Sequence, residues 1–90
     1  MRFRSFDWDE WNVDHIARHG IEPHEAETAC RSEGRVVRRS REGRYLVYGR
    51  TGAGRHVLVV LRPFGQGRAR IITARDMTER ERRFYQQQRS

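Results

Sequence analysis

From residue 34 onward, apolar and polar residues alternate with a period of two, a spacing typical of β-strands. We predict strands near residues 35–38, 44–50, 56–62 and 68–74. The segments between them are short and contain glycine, and short links favour antiparallel hairpins because parallel pairing needs a longer crossover. Residues 57–61 are apolar on both faces, so this strand is expected at the centre of the sheet.

The first part of the chain has helical spacing instead. Residues 2–6 alternate charged and apolar positions, which fits a short edge strand. Asp7 is predicted to cap a first helix, with Glu10 completing a capping box, and Gly20 is predicted to end it in a left-handed conformation. The side chains at helical spacing along one side are Trp8, Trp11 or Asn12, His15 or Ile16, and His19.

A second helix is predicted to open at Pro23, because proline is favoured in the first turn of a helix. Its apolar stripe consists of small residues that allow close packing: Ala26, Ala29 and Cys30. Cys30 is the sole cysteine, which excludes an internal disulfide. We interpret Cys30 as a small buried hydrophobe rather than a nucleophile.

A last helix is predicted to open with a capping box between Thr78 and Glu81, to run to about residue 87 and then to fray. Tyr85 lies near several arginines, so it could stack on a base or donate a proton. The alternative is that Phe84 packs against the sheet while the charged residues form a solvated helix face.

The predicted order β-α-α-β-β-β-β-α makes one α+β domain over residues 1–90. Two N-terminal helices and a C-terminal helix are expected to pack on a four-stranded antiparallel meander sheet. We expect the helices to cover one face and to leave the other partly open. Strict alternation along the last strand puts Arg70 and Arg75 on opposite faces of the sheet.

The charge balance adds a functional indication. The formal net charge is +7, and all 19 cationic residues are arginine. Such a surface attracts phosphate backbones or acidic proteins, and a planar guanidinium suits forked recognition of phosphate. Codon preference in a GC-rich genome would explain the absence of lysine, but not the excess of positive charge. The longest apolar run is too short to span a bilayer, so we expect a cytoplasmic bacterial protein.

Several members of one arginine set are expected to converge where the strand ends meet the last helix; the set consists of Arg50, Arg62, Arg70, Arg75 and Arg80. Free backbone N–H groups of Thr78 and Glu79 would add a phosphate-binding site. Arginines in such a place could stabilise the charge that builds on phosphate oxygens. For each arginine, the alternative is ordinary solvated charge on the sheet face.

The histidines are weaker candidates. His15 and His19 are four residues apart on a helix, but zinc needs a third ligand, and only His24 or a nearby carboxylate is local. We therefore expect no metal site and interpret His19 as a structural or proton-transfer group. His56, beside the central strand, is interpreted as structural.

Five short motifs occur in order along the chain: Phe6-Asp7-Trp8-Asp9, Arg18-His19-Gly20, Gly49-Arg50, Arg70-Ile71-Ile72-Thr73-Ala74-Arg75, and Glu81-Arg82 followed by Tyr85. Their order and spacing resemble the BrnT toxins, which are ribonuclease toxins of type II toxin–antitoxin systems with a RelE-like fold. The resemblance covers nearly the whole chain.

The resemblance implies metal-independent RNA cleavage, in which the ribose 2′-OH attacks the adjacent phosphate, with no cofactor. It also implies a cognate antitoxin, acidic or DNA-binding, that covers the active face. The arginines that would clamp RNA and stabilise the transition state are Arg50, Arg70, Arg75 and Arg80. The proton-transfer candidates are His19, Glu81 and Tyr85. Further RNA-binding arginines are expected at Arg38, Arg39, Arg41, Arg62 and Arg68.

The chain departs from the family pattern in three places. Arg18 stands where lysine is usual, residues 30–33 replace an aromatic-Asp-Pro stretch, and residues 38–42 form a basic loop where many members have an acidic one. Two other functions therefore stay open. One is a non-catalytic nucleic-acid-binding module, and the other is a protein-interaction domain whose basic face is covered by an acidic protein.

Overall fold

The fold was obtained as a computed structural model, which describes residues 1–89. Its elements in chain order are β1 (Ser5–Asp7), α1 (Glu10–Ala17), α2 (Pro23–Arg31), β2 (Val36–Arg39), β3 (Tyr45–Arg50), β4 (His56–Gly65), β5 (Arg68–Asp76) and α3 (Glu79–Arg89). The predicted α+β class is confirmed. Within residues 1–89, no helix is both long and apolar enough to cross a membrane.

The prediction of a four-stranded antiparallel sheet is wrong, because the sheet has five strands. The sheet has the order β1-β5-β4-β3-β2, and β1 pairs in parallel with β5, so that Phe6 lies beside Ala69. All other pairs are antiparallel, and β4 lies at the centre, as its apolar residues predict. The pairing of β1 leaves little signal in the sequence, because the strand is short and its partner lies far along the chain.

Helices α1 and α2 pack on one face of the sheet, which we call the α1–α2 face. The core on this face is built from Ile16 and Ile21 of the helical segment and from Val47, Val59 and Ile71 of the strands, all of them buried. Burial of these apolar side chains is the main force that holds the two layers together.

Helix α3 lies on the opposite face, which we call the α3 face. There Tyr48, Leu58, Met77 and Tyr85 form a second apolar cluster. Adjacent strand residues point to opposite faces, which is why the neighbour of Tyr48, Val47, belongs to the other core. The expectation that all the helices cover one face is therefore wrong.

Helix α1 begins later than predicted, because its N-cap is Asp9 rather than Asp7, and Asn12 rather than Glu10 completes the capping box. The Asn12 N–H donates to the Asp9 carboxylate at 3.1 Å, and the Asp9 N–H donates to the Asn12 amide oxygen at 2.8 Å. Asn12 is fully buried and also donates to the carbonyls of Asp7 and Ile71 at 2.9 and 3.0 Å. This one side chain therefore ties α1 to both β1 and β5.

Helix α2 opens at Pro23 as predicted, and its stripe of Ala26, Ala29 and Cys30 is fully buried. Burial raises the pKa of the Cys30 thiol to about 12, so this side chain stays protonated and packs as a hydrophobe. The helix approaches β3 so closely that a Cβ added to Gly49 would overlap the carbonyl oxygen of Ala29.

An irregularity in β5 decides which arginines share a face. The β4–β5 pairing slips by one residue between Val60 and Leu61, so that Ile72 is an extra residue in β5. Arg70 and Arg75 pair with β4 residues that are four positions apart, an even spacing that keeps both on the α3 face. The prediction that they lie on opposite faces assumed strict alternation, and it is wrong.

The capping box predicted for α3 is confirmed. The Glu81 N–H donates to the Thr78 hydroxyl at 3.1 Å, and the Thr78 N–H donates to the Glu81 carboxylate at 2.8 Å. Phe84 packs on Tyr48 with a distance of 5.1 Å between ring centroids. The helix continues to residue 89 rather than fraying near residue 87, and residue 90 lies outside the described part of the chain.

The contact between α2 and β3 gives a test of the packing. We expect Gly49→Ala to destabilise the protein by about 1–3 kcal/mol, because the methyl group has to displace backbone atoms of α2. Gly52→Ala is the matched control, since a Cβ there meets open space, and we expect its effect to stay within about 0.5 kcal/mol. Urea unfolding of both variants measures this, and equal stability would contradict the close approach of α2.

Candidate functional site

Strands β3, β4 and β5 bring chemically active side chains together at one end of the sheet. Arg50 lies opposite His56 in the β3–β4 pairing, and the Thr51 N–H donates to the Arg55 carbonyl at 2.9 Å to close the turn between them. The Met77 N–H donates to the His56 carbonyl at 3.1 Å, which keeps the approach to α3 beside the same place. We call this region the His56 end of the sheet.

Arg75 and Glu81 form a bidentate ion pair between β5 and α3. Two guanidinium nitrogens of Arg75 donate to the two carboxylate oxygens of Glu81 at 2.8 and 2.9 Å. This hydrogen bonding holds the pKa of Glu81 below its ordinary value, because it stabilises the ionised carboxylate. Glu81 is therefore a poor proton acceptor, although the sequence makes it a candidate.

The Glu81 carboxylate also affects the phosphate-binding site predicted at the start of α3. Glu81 accepts the N–H of Thr78, so the prediction of a free N–H group at Thr78 is wrong. Glu79 and Glu81 also place two carboxylates in the first turn, and these repel an anion.

Arg62 and Arg70 lie at the other end of the sheet, which we call the far end. They face each other in the β4–β5 pairing, and Arg62 follows His56 by six residues, roughly 20 Å along a strand. Arg70 forms an ion pair with Asp9 at 3.0 Å, and Arg62 donates to the carbonyl of Glu42 at 2.9 Å. Arg62 and Arg70 are therefore not among the arginines that converge beside the last helix.

Two guanidinium groups at the His56 end have no partner among residues 1–89. Arg50 and Arg82 are both exposed, and within residues 1–89 neither side chain has a hydrogen-bond acceptor or a carboxylate at ion-pair distance. Arg80, also a candidate, is exposed on α3 and equally unpaired within that range. Arg50 lies close to Gly54, where a Cβ would come within 3.3 Å of its guanidinium. Unpaired guanidinium groups keep all their donors available for an anion.

His56 lines a pocket of about 360 Å³ whose other lining residues include Gly54 and Arg82. Neither ring nitrogen of His56 has a hydrogen-bond partner in the described part of the chain. Burial lowers the pKa of His56 below its ordinary value of 6.5, and repulsion from Arg82, Arg50 and Arg89 lowers it further. The imidazole is therefore neutral at pH 7 and free to accept a proton.

Sequence reasoning gave His56 a structural role and overlooked this neighbourhood. One signal was present, because a tight glycine-rich turn over residues 51–55 places residues 50 and 56 opposite each other. Arg82 comes from a different element, so no local pattern connects it with His56.

The other two proton-transfer candidates, Tyr85 and His19, lie near the pocket of His56 but do not line it. Tyr85 is fully buried, and its ring meets that of His56 edge-on with centroids 5.6 Å apart, so it cannot stack on a base in this conformation. Its hydroxyl has no hydrogen-bond partner within residues 1–89. His19 is exposed just beyond α1, on the layer that covers the α1–α2 face, and its carbonyl accepts a hydrogen bond from Arg55 at 3.0 Å.

The remaining predicted RNA-binding arginines lie away from His56. The guanidinium of Arg38 stacks 4.7 Å from the ring centroid of Phe84. Arg39, Arg41 and Arg68 are exposed near the far end, where β2 finishes and β5 starts. They form a second basic region, separate from the His56 end.

Acidic and metal-ligating side chains are scattered. No group of three His, Cys, Asp or Glu among residues 1–89 is placed to hold a metal ion. His15 stacks on the exposed ring of Trp11 at 4.8 Å between centroids, and its own ring is 6.3 Å from that of His19.

Comparison with known proteins decides the family. The profile of the family described as ribonuclease toxin, BrnT, of type II toxin–antitoxin system matches residues 8–81, which is most of the chain. The chain belongs to the BrnT family. Its structure is similar to the 1.1 Å crystal structure of the Brucella abortus ribonuclease toxin BrnT, with a TM-score of 0.69 and 21% sequence identity. That likeness covers 83% of this chain and 97% of the Brucella chain, and at such identity it shows the fold. No curated protein matches the chain.

The Arg75–Glu81 pair of this BrnT-family chain gives a test by pH. We expect Glu81→Gln to lower the free energy of unfolding by about 1 kcal/mol at pH 7, a modest figure because Arg75 is 39% exposed. Glu81 has a lowered pKa in the folded state, so its contribution is full above its ordinary pKa of 4.5 and is lost as pH falls through the folded value. The difference between the proteins should therefore shrink in acid.

Glu79→Gln is the matched control for this measurement. Glu79 sits in the same first turn, but it is 89% exposed and pairs only weakly with Arg83 at 3.9 Å. Urea unfolding from pH 7 to pH 3 compares the two variants. A loss for Glu81→Gln that persists unchanged at low pH would contradict the ion-pair account.

Proposed function

We propose that this BrnT-family chain is an endoribonuclease toxin that cleaves RNA without a metal ion and is neutralised by a cognate antitoxin. The observation that supports this most is the unpaired guanidinium groups of Arg50 and Arg82 beside His56, in a chain from a family of ribonuclease toxins. The ribose 2′-oxygen attacks the adjacent phosphorus, which leaves a 2′,3′-cyclic phosphate and a 5′-hydroxyl.

The arginines at the His56 end act on the scissile phosphate. A planar guanidinium can bind two phosphate oxygens at once, and Arg50 and Arg82 keep these donors free. Negative charge that grows on the phosphate in the transition state then meets donors already in place. Arg80 lies two residues before Arg82 on α3, so it projects from another side of the helix and can contact RNA only outside the pocket of His56. Arg75 acts through the helix that it holds.

The far end of the sheet binds nucleotides that flank the cleaved bond. Arg39, Arg41, Arg62 and Arg68 are exposed there and supply contacts to phosphates that do not depend on sequence. Arg70 can join them, because its pairing with Asp9 is an exposed ion pair that stabilises the protein little and can be exchanged for phosphate.

An antitoxin with an acidic segment fits the same surface. Its carboxylates can pair with the guanidinium groups that would otherwise bind phosphate, and the net charge of +7 speeds the encounter. Covering Arg50, His56 and Arg82 in this way excludes RNA from the site.

The direct test of this proposal is cleavage of RNA in the presence of a chelator. We expect the purified protein to produce fragments with 2′,3′-cyclic phosphate ends, and a single 2′-deoxy substitution at the cleaved position to protect the bond. We expect Arg50→Gln to lower kcat/KM about 10²-fold, because it removes one phosphate donor. Arg2→Gln removes the same charge from an exposed N-terminal position and should leave cleavage nearly unchanged.

Two other results would each contradict the ribonuclease proposal. Intact RNA, together with binding that weakens steeply with salt, would identify a non-catalytic nucleic-acid-binding module. Negligible affinity for RNA at physiological salt would instead favour a protein-interaction domain.

A further inference from the structure

His56 is placed where a proton acceptor for RNA cleavage would be needed. It stands at the start of β4, directly opposite Arg50, and it shares its pocket with Arg82. Gly54, which also lines that pocket, has no side chain to fill the space near the Arg50 guanidinium. A phosphate bound by the two arginines would therefore lie beside the imidazole.

The imidazole of His56 is held by contacts that do not involve its ring nitrogens. The ring of Tyr85 meets it edge-on at 5.6 Å, and the backbone carbonyl of His56 accepts the Met77 N–H at 3.1 Å. Both ring nitrogens stay without partners in the described part of the chain.

The alternative proton acceptors fit less well. Glu81 is kept ionised by hydrogen bonds from two guanidinium nitrogens of Arg75. Tyr85 is fully buried, so its hydroxyl does not reach the surface where RNA would bind. His19 follows α1 on the layer covering the α1–α2 face, and although its carbonyl accepts a hydrogen bond from Arg55, His19 does not line the pocket of His56.

We propose that His56 is the catalytic base of RNA cleavage and that Arg50 and Arg82 hold the scissile phosphate beside it. This inference rests on the proposed ribonuclease function. His56 takes the proton of the ribose 2′-hydroxyl while the 2′-oxygen bonds to phosphorus. The bond from phosphorus to the 5′-oxygen breaks, and that oxygen takes a proton from water. The imidazolium then returns its proton to solvent.

Charged groups face the imidazole from each element packed around it: Arg50 on β3, Arg82 and Arg89 on α3, and the Arg55–Asp76 ion pair beside the pocket. The cationic groups disfavour imidazolium, so the free protein keeps the base deprotonated at neutral pH. A bound phosphate has the opposite effect, because it offsets the arginine charges and favours the protonated ring.

The first experiment compares His56→Gln with His24→Gln, which changes an exposed histidine on α2. We expect His56→Gln to lower kcat/KM by about 10²- to 10⁴-fold and His24→Gln to leave it unchanged. In the wild type, kcat/KM should rise with pH in the acidic range and level off above the pKa of His56. That rise should be absent in His56→Gln, with circular dichroism confirming that the variant is folded.

The second experiment needs no cleavage and uses the wild-type protein. The His56 ring is titrated by NMR, alone and with a 2′-deoxy oligonucleotide that cannot be cleaved. We expect the oligonucleotide to raise the pKa of His56. We also expect Arg82→Gln to raise it in the free protein, because a repelling charge is removed.

The outcomes separate the two proposals. If the wild type cleaves RNA and His56→Gln cleaves equally well, or if His19→Gln alone abolishes cleavage, the role of His56 is refuted and the ribonuclease function stands. Intact RNA with the wild type refutes the ribonuclease function and the proton transfer together. Oligonucleotide binding that leaves the His56 titration unchanged refutes the phosphate site.

Discussion

The ion pair between Arg75 and Glu81 fixes the start of α3 against the end of β5, and the arrangement of the α3 face depends on that helix. Glu81 binds Arg75 with both oxygens and also accepts the Thr78 N–H, so one carboxylate joins the end of β5 to the first turn of α3. One turn later Tyr85 is buried, and Arg82, the neighbour of Glu81, lines the pocket of His56. A different course for α3 would separate Arg82 from His56.

The distribution of carboxylates decides which arginines can act on a ligand. Three of the best-placed arginines are each paired with an acidic residue: Arg55 with Asp76, Arg70 with Asp9, and Arg75 with Glu81. Arg50 and Arg82 lack such partners among residues 1–89, and both lie close enough to His56 to lower its pKa. The excess of positive charge is therefore effective at the His56 end, although arginines occur all over the chain.

Local patterns in the sequence were enough to predict the regular elements. Period-two runs predict the four hairpin strands, Pro23 predicts the start of α2, and Thr78 with Glu81 predicts the start of α3. The parallel pairing of β1 was not predictable in the same way, because its partner is distant in sequence. The extra residue Ile72 in β5 was also not predicted, since the sequence was interpreted with strict alternation along the whole strand.

The candidate site was harder to predict than the fold. Its residue types were visible as arginines and histidines, but which arginine pairs with which carboxylate depends on tertiary contacts. Arg70 and Arg75 were candidates along with Arg50 and Arg80, yet both are paired within the protein. His56 was overlooked because its surroundings come from three separate elements.

We propose above all that RNA phosphate binds at the His56 end of the α3 face. Amide chemical-shift mapping by NMR, with a 2′-deoxy oligonucleotide that cannot be cleaved, tests this most directly. If phosphate binds there, the largest amide shift changes occur at Arg50, His56 and Arg82, with little change on the α1–α2 face. Binding at the His56 end would be contradicted if the largest shift changes occurred around Arg62 and Arg70 and none occurred near His56.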